Sequence, residues 1–203
     1  MAESAHDRPE TLTHPLSPRW LERPDGYRHF ETAYFVGHGK DTFERCAEEL
    51  LHWEVKIRSG FDIDIGEREA GRAGVGECGD SGGIGGGCVD RAGNSRSAPP
   101  RVEAGQEPTI RVRLGPFRLP EPSRVLDVFE ATDRCGFTYG TKPGHPVTGE
   151  ESFILVRTPD DRVFLVLRSV SRAGAGIWRL GEPFVRFAQV IYRRRYGRAL
   201  LRG

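Results

Sequence analysis

The sequence predicts an α+β fold, in which a curved antiparallel sheet carries an N-terminal helix and a long C-terminal helix on one face. Two observations favour this class. Segments with apolar residues at alternate positions follow one another after residue 108, as in strands joined by short turns. Helical periodicity is confined to residues 40–53 and to a segment from about Gly176 to the end of the chain. The predicted order is therefore strand, helix, strand, insertion, antiparallel meander and terminal helix.

The first part of the chain divides into an arm and three elements. Residues 1–28 are polar and rich in proline, which predicts an irregular N-terminal arm. The aromatic, alternating residues 29–37 predict a strand, and residues 40–53 predict an amphipathic helix. Residues 54–63 are interpreted as a second strand. We expect residues 29–203 to form a single domain with one insertion.

A glycine-rich stretch separates the two halves of that domain. Of the 26 glycines in the chain, 11 fall between Gly66 and Gly93, and no helical or strand period survives from about Gly66 to Pro108. Such a segment cannot bury enough apolar surface to offset the entropy lost on ordering. We predict a flexible insertion at about residues 66–108.

Two short motifs in this stretch resemble catalytic or cofactor-binding sequences. GDSGG around Ser81 is found at the nucleophile of chymotrypsin-like proteases, but only 80 residues precede Ser81, which is too few for two β-barrels with an upstream histidine and aspartate. GVGECG at 74–79 fits a dinucleotide-binding pattern, but no helix can follow it in DSGGIGGG. We interpret both as chance matches.

The second half predicts a meander followed by a helix. PDD at 159–161 is a tight hairpin connection between the last two strands. Pro183 suits the first turn of the terminal helix and not its interior. The predicted strands lie at residues 109–115, 123–132, 135–141, 151–158 and 162–171.

Charge and cysteine spacing exclude several classes of protein. A net charge of +1 argues against a specific nucleic-acid-binding domain. The four cysteines have no C-x-x-C spacing, so we predict neither a metal site nor a disulfide framework, and no cofactor is implied. No secretory or membrane-spanning segment is evident, and we expect a cytoplasmic protein. The pattern does not indicate an oligomeric state.

The C-terminal segment is rich in arginine, and two interpretations remain open. A basic helix could dock on phosphates or on an anionic membrane surface. A solvated helix face is the alternative, which we favour because three consecutive arginines point in different directions around a helix. The residues are Arg186, Arg193, Arg194, Arg195, Arg198 and Arg202.

One long motif, GFTYGTKPGHPVTGEESF at Gly136–Phe153, stands out from the rest of the chain. Its glycines, prolines, His145 and the pair Glu150 and Glu151 resemble the signature of a bacterial and plant family named domain of unknown function nineteen-ninety. The segments around residues 11–65 and 123–203 are similar to the same family. The resemblance implies no established activity, and it implies a short connection where this chain has its glycine-rich stretch. The layout also resembles the helix-grip folds (START and Bet v 1-like), which implies an apolar cavity between the sheet and the terminal helix.

The motif itself allows a chemical and a structural interpretation. His145, Glu150 and Glu151 could form an acid–base site, with Tyr139 and Thr141 on one face of the preceding strand as ligand contacts. In the structural interpretation, glycine and proline fix the turn, and the polar side chains satisfy backbone groups around it.

These alternatives give two functional hypotheses. The first is a binding protein for a small apolar, amphipathic or lipid-like ligand, with Trp53, Tyr139 and Thr141 among the residues that contact it. The second is an enzyme of cyclase, dehydratase or hydrolase type that uses His145 with Glu150 or Glu151.

Overall fold

A computed structural model describes residues 11–65, 100–114, 117–145, 147–173 and 182–201. Most of the glycine-rich stretch, with Ser81 and the GVGECG motif, lies outside these ranges. The elements in chain order are β1 (Arg28–His38), α1 (Lys40–Leu51), α2 (Glu54–Ile57), β2 (Phe61–Asp64), β3 (Thr109–Leu114), β4 (Phe117–Glu130), β5 (Arg134–Thr141), β6 (Val147–Arg157), β7 (Arg162–Ala173) and α3 (Glu182–Ala199).

The strands form one antiparallel sheet in the order β1-β7-β6-β5-β4-β3-β2. Strands β2 to β7 follow one another as a meander, and β1 pairs with β7 at the far edge. Residues Thr158 to Asp161 connect β6 to β7, which confirms the predicted hairpin. This seven-stranded curved sheet with its N-terminal and C-terminal helices confirms the predicted α+β class.

The helices cover one face of the sheet, which we call the inner face. From α1, Phe43, Cys46 and Leu50 are buried in the core. Trp53 packs edge-on against Phe137 of β5, with ring centroids 4.9 Å apart. Further along the sheet, α3 approaches β1 so closely at Gly197 that a Cβ atom there would lie 2.4 Å from the Tyr34 ring. The core therefore lies between the inner face and the three helices.

The N-terminal arm covers part of the opposite, outer face. Arg168 of β7 is 1% exposed, and its guanidinium donates to the carbonyl oxygens of His14 (2.7 Å) and Ser17 (2.9 Å) and to the Glu31 carboxylate (2.9 Å). Thr13 is also buried, 2.6 Å from the Ser152 hydroxyl. A buried guanidinium needs several acceptors, and the backbone of the arm supplies them.

Several sequence-based boundaries differ from those of the structure, and two of the differences change which residues belong to the core. Residues 54–57, predicted as the start of a strand, form α2, and the strand begins only at Phe61. Trp53 has a φ of 62°, a left-handed conformation that ends α1 and redirects the chain. Val55 and Lys56 are then both buried, although consecutive residues of a strand would point to opposite faces.

The predicted insertion also extends too far toward the C-terminus. Val102 is 2% exposed, and its N–H donates to the Leu51 carbonyl oxygen at 2.7 Å. Gln106 is buried, and its carbonyl oxygen accepts from the Val125 N–H at 2.8 Å. Residues 100–108 are therefore part of the fold, because they pack on α1 and β4.

Candidate functional site

The inner face holds a buried ammonium group. Lys56 of α2 is 1% exposed, and its Nζ donates to the Tyr196 hydroxyl of α3 at 2.7 Å and to Glu151 Oε2 of β6 at 2.9 Å. It also donates to the Tyr139 hydroxyl of β5. All three N–H donors of the ammonium are thus used, which is what a buried lysine requires. We call Lys56, Tyr139, Glu151 and Tyr196 the lysine cluster.

Aromatic rings enclose the lysine cluster. The Lys56 Nζ lies 4.6 Å from the centroid of the Phe61 ring and 5.2 Å from that of Phe153. Tyr139 and Phe153 stack at a centroid distance of 6.3 Å, and Tyr196 meets Phe153 edge-on at 5.1 Å. A cation over aromatic faces gains electrostatic stabilisation in a desolvated setting. The cluster is therefore a charged centre set in an apolar wall.

The cluster keeps one negative charge close to the ammonium. Burial alone would raise the pKa of Glu151, but the Lys56 ammonium and the Tyr139 hydroxyl hold that pKa below its ordinary value. Burial and then the Glu151 charge raise the pKa values of Tyr139 and Tyr196 well above the ordinary value. Both phenols therefore stay protonated at neutral pH, and Tyr139 donates its hydroxyl proton to Glu151 Oε2.

A second carboxylate and a histidine lie near this cluster. His145, in the loop between β5 and β6, has Nε2 3.9 Å from Oε2 of Glu121 on β4. Burial and the Lys56 charge lower the pKa of His145 to about 4, so its ring is neutral at pH 7. Burial, with a contribution from Glu151, raises the pKa of Glu121 to about 7 against the opposing effect of Lys56. The charges of Lys56 and Glu151 therefore act on both Glu121 and His145.

The structure brings some of the residues predicted from the motif together and separates others. Tyr139, Glu151 and His145 lie on the inner side of the sheet. Glu150 faces the outer side, where its Oε2 accepts from the Leu12 N–H at 2.8 Å. The Thr141 hydroxyl accepts from the Gly149 N–H at 3.1 Å, as the structural interpretation of the turn expects. Trp53 is fully buried and packs against Phe137.

Sequence reasoning missed three members of the site: Lys56, Glu121 and Tyr196. Lys56 is one of three lysines in a chain with 30 basic residues, and that rarity is the only signal the sequence offers for it. Tyr196 lies in the arginine-rich C-terminal segment, where nothing in the sequence marks its hydroxyl as part of a site. Lys56 and Tyr196 are 140 positions apart, so only the folded sheet brings them into contact.

The arginine-rich helix is partly committed to the fold. The Arg193 guanidinium stacks 3.6 Å from the centroid of the Phe30 ring and donates to the Ser169 hydroxyl at 3.3 Å. Arg195 donates to the Ser59 carbonyl oxygen at 3.2 Å. In return, Arg58 donates to the Ala199 carbonyl oxygen at the end of α3 at 3.0 Å. These contacts support a structural role for Arg193 and Arg195. Arg194 and Arg198 are exposed.

Fold and site define a class of protein: a curved antiparallel sheet with helices on its inner face and a buried lysine–tyrosine–glutamate centre between them. The chain belongs to the family described as domain of unknown function (DUF1990), whose profile matches residues 12–78 and 88–199. This membership confirms the resemblance seen in the Gly136–Phe153 motif.

Known proteins similar to this chain add the following. An 80-residue stretch is 44% identical to a UPF0548 protein of Deinococcus radiodurans and spans 39% of this chain and 40% of that relative. The crystal structure of the hypothetical protein jhp0584 from Helicobacter pylori has a TM-score of 0.50 at 10% identity, covering 89% of each chain. That of Ara h 8.0201 has a TM-score of 0.43 at 11% identity, covering 86% of this chain and 99% of that one. At 10% identity, the similarity to the Helicobacter structure shows that the two chains share a fold, and it carries no conclusion about function.

In the part of the chain that the structure describes, no helix is both long and apolar enough to cross a membrane.

Proposed function

We propose that the protein binds a small apolar or amphipathic ligand between the inner face of the sheet and α3. The observation that carries this proposal is the exposure of two carboxylates. The side chains of Glu121 and Glu151 each keep 20% of their surface accessible, although the buried Lys56 and the aromatic rings of the inner face lie beside them. Polar surface left open beside an apolar wall is the usual composition of a small-molecule site.

The same arrangement suggests how a ligand would lie. Its apolar body would contact the aromatic residues of the inner face, and its polar end would face the lysine cluster, Glu121 and His145. Because the cluster is already hydrogen-bonded within the protein, it requires no large rearrangement before binding.

Two measurements test the proposal: detection of a ligand that remains bound through purification, and thermal stabilisation by added compounds. Native mass spectrometry of the protein purified from two expression hosts should show a bound small molecule, and a lipid and metabolite panel should raise the melting temperature of stripped protein. The variant Glu151→Gln should weaken both effects, and Glu150→Gln, on the outer face of the same strand, should leave them unchanged. Absence of any retained molecule and of any thermal shift would overturn the proposal.

A second candidate function is acid–base catalysis in the same place. The observation that favours it is the pairing of Glu121, whose pKa is raised to about 7, with the neutral imidazole of His145. The pair would take the role that the sequence analysis gave to His145 with Glu150 or Glu151. Turnover of an ester, lactone and dehydratable-alcohol panel should fall at least ~100-fold in Glu121→Gln. Unchanged turnover in that variant, or none in the parent protein, would exclude this candidate.

A further inference from the structure

Two polar groups on the inner side have no hydrogen-bond partner among the described residues. The His145 side chain is 6% exposed, and its Nδ1 accepts from the Val147 N–H at 3.1 Å, so Nε2 carries the proton in the neutral ring. That Nε2–H has no acceptor within hydrogen-bond distance among the described residues, since Glu121 Oε2 is 3.9 Å away. The Glu121 carboxylate likewise accepts no hydrogen bond from the described part of the chain.

A third atom can join this pair. The His145 and Glu121 side chains are 6% and 20% exposed, so the open donor and acceptor can pair with water or with a ligand atom. One oxygen placed about 2.8 Å from both atoms would see them at an angle of about 90°, which suits the donor and acceptor directions of a hydroxyl group. The 3.9 Å separation is therefore the size of a one-oxygen gap.

We infer that the ligand of the inner face is a neutral alcohol or phenol, whose hydroxyl oxygen accepts from His145 Nε2–H and whose proton is donated to Glu121. This inference rests on the proposed function, because it identifies the polar end of the ligand that the inner face would hold.

The donor and acceptor chemistry of the pair discriminates against other polar ends. An ammonium group has no lone pair to accept from His145, and an ionised carboxylate has no proton to donate to Glu121 when Glu121 is ionised. The surrounding charges favour neither ion, since Lys56 and Arg193 are balanced by Glu151 and by Glu121 when it is ionised. A hydroxyl group satisfies both partners without adding charge to a site of low polarity.

The experiment uses four eight-carbon probes on the stripped full-length protein: 1-octanol, 1-methoxyoctane, octanoate and octylamine, with affinities measured by calorimetry at pH 8.5, where Glu121 is mostly ionised and His145 is neutral. 1-Octanol should bind about 10-fold more tightly than 1-methoxyoctane, which cannot donate, and more tightly than either ion. In Glu121→Met and in His145→Phe, the affinity for 1-octanol should fall to that for 1-methoxyoctane. Glu150→Gln is the matched control and should bind all four probes like the parent.

The outcomes separate the two proposals. Equal affinity for 1-octanol and 1-methoxyoctane, or tighter binding of octanoate or octylamine, would overturn the inference and leave the proposed ligand site standing. Binding of no probe would overturn the inference and count against the ligand site as well. If circular dichroism shows that a variant does not fold, the affinities of the parent protein for 1-octanol and 1-methoxyoctane still test whether the ligand must donate a proton.

Discussion

Glu121 ties the stability of the protein to pH. In an unfolded chain its pKa is near 4.5, and in the fold burial raises it to about 7. The stabilising contribution is complete below pH 4.5 and is lost as pH rises toward 7, because the folded state must then hold a largely buried carboxylate that accepts no hydrogen bond from the described residues. A rise in pKa of this size corresponds to ~3 kcal/mol.

Glu121→Gln should therefore be more stable than the parent at pH 8, by up to ~3 kcal/mol, and nearly equal to it at pH 4.5. Urea denaturation at the two pH values measures this difference. Glu107→Gln serves as the control, because Glu107 is exposed and Lys142 lowers its pKa, so its replacement should not raise stability at pH 8. A Glu121→Gln variant less stable than the parent at both pH values would contradict the assignment.

Truncation of the Trp53 side chain should cause a large loss of packing energy. It is fully buried, it packs edge-on against Phe137, and its left-handed backbone ends α1. Trp53→Ala should lower the free energy of unfolding by ~3–5 kcal/mol, measured by chemical denaturation. Trp53→Phe should cost markedly less, since it keeps an aromatic contact and removes an indole N–H that has no hydrogen-bond partner. Equal losses for the two variants would show that packing against Phe137 is not the cause.

At the level of elements, the lysine cluster joins α2, β5, β6 and α3 through one ammonium group. Lys56→Met should lower the free energy of unfolding at pH 7 by ~3–5 kcal/mol, because Glu151 would remain charged without its partner. Adding Glu151→Gln should recover part of that loss, and a double-mutant cycle measures the coupling. Lys40→Met is the control, since the Lys40–Glu44 pair is exposed and should contribute less than ~1 kcal/mol. Full additivity of Lys56→Met and Glu151→Gln would contradict the coupling.

Periodicity predicts those elements well where one face is buried and the other is not. Strand β7 begins with buried residues at alternate positions, Val163, Leu165 and Leu167, and the residue types of PDD indicate a turn, so both were predictable. The α2 segment was not, because EVKI has the alternation of a strand and its lysine gives no reason to place it in the core. Only its partners Tyr139, Glu151 and Tyr196, brought together by sheet register, explain why a lysine is buried there.

The Gly136–Phe153 motif shows that the sequence pattern also identifies the site only in part. A Cβ atom at Gly149 would lie 1.9 Å from the Val170 carbonyl oxygen, and one at Gly136 would lie 2.1 Å from that of Phe153. Close strand packing therefore requires those two glycines, which is a different reason from the turn chemistry that the structural interpretation gives. Glu151 and His145, however, face the inner side with Glu121, which no motif indicated. The motif is therefore partly structural and partly chemical, and sequence spacing alone does not separate the two.

At the scale of the whole molecule, both faces of the sheet are covered from distant parts of the chain. The three helices cover the inner face, and the N-terminal arm covers part of the outer face. The Arg168 guanidinium holds the arm in place by donating to the backbone carbonyl oxygens of His14 and Ser17. The two parts of the family profile that match this chain pass over residues 79–87. The core of the described residues is built from segments on both sides of this stretch.

Replacing residues 66–99 with a Gly/Ser linker of about 12 residues should therefore leave the melting temperature within a few degrees of the parent value. The sequence of that stretch has few apolar side chains to contribute to a core, and halving the length of a flexible connection changes the free energy by only ~0.6 kcal/mol. Extending the same replacement to residue 108 should be strongly destabilising, because it removes Val102 from the core and Gln106 from its contact with β4. Calorimetric melting of the two variants and the parent makes the comparison. If the shorter replacement is insoluble or melts non-cooperatively, the glycine-rich stretch is structural. If the longer one melts like the parent, residues 100–108 do not support the fold as their burial indicates.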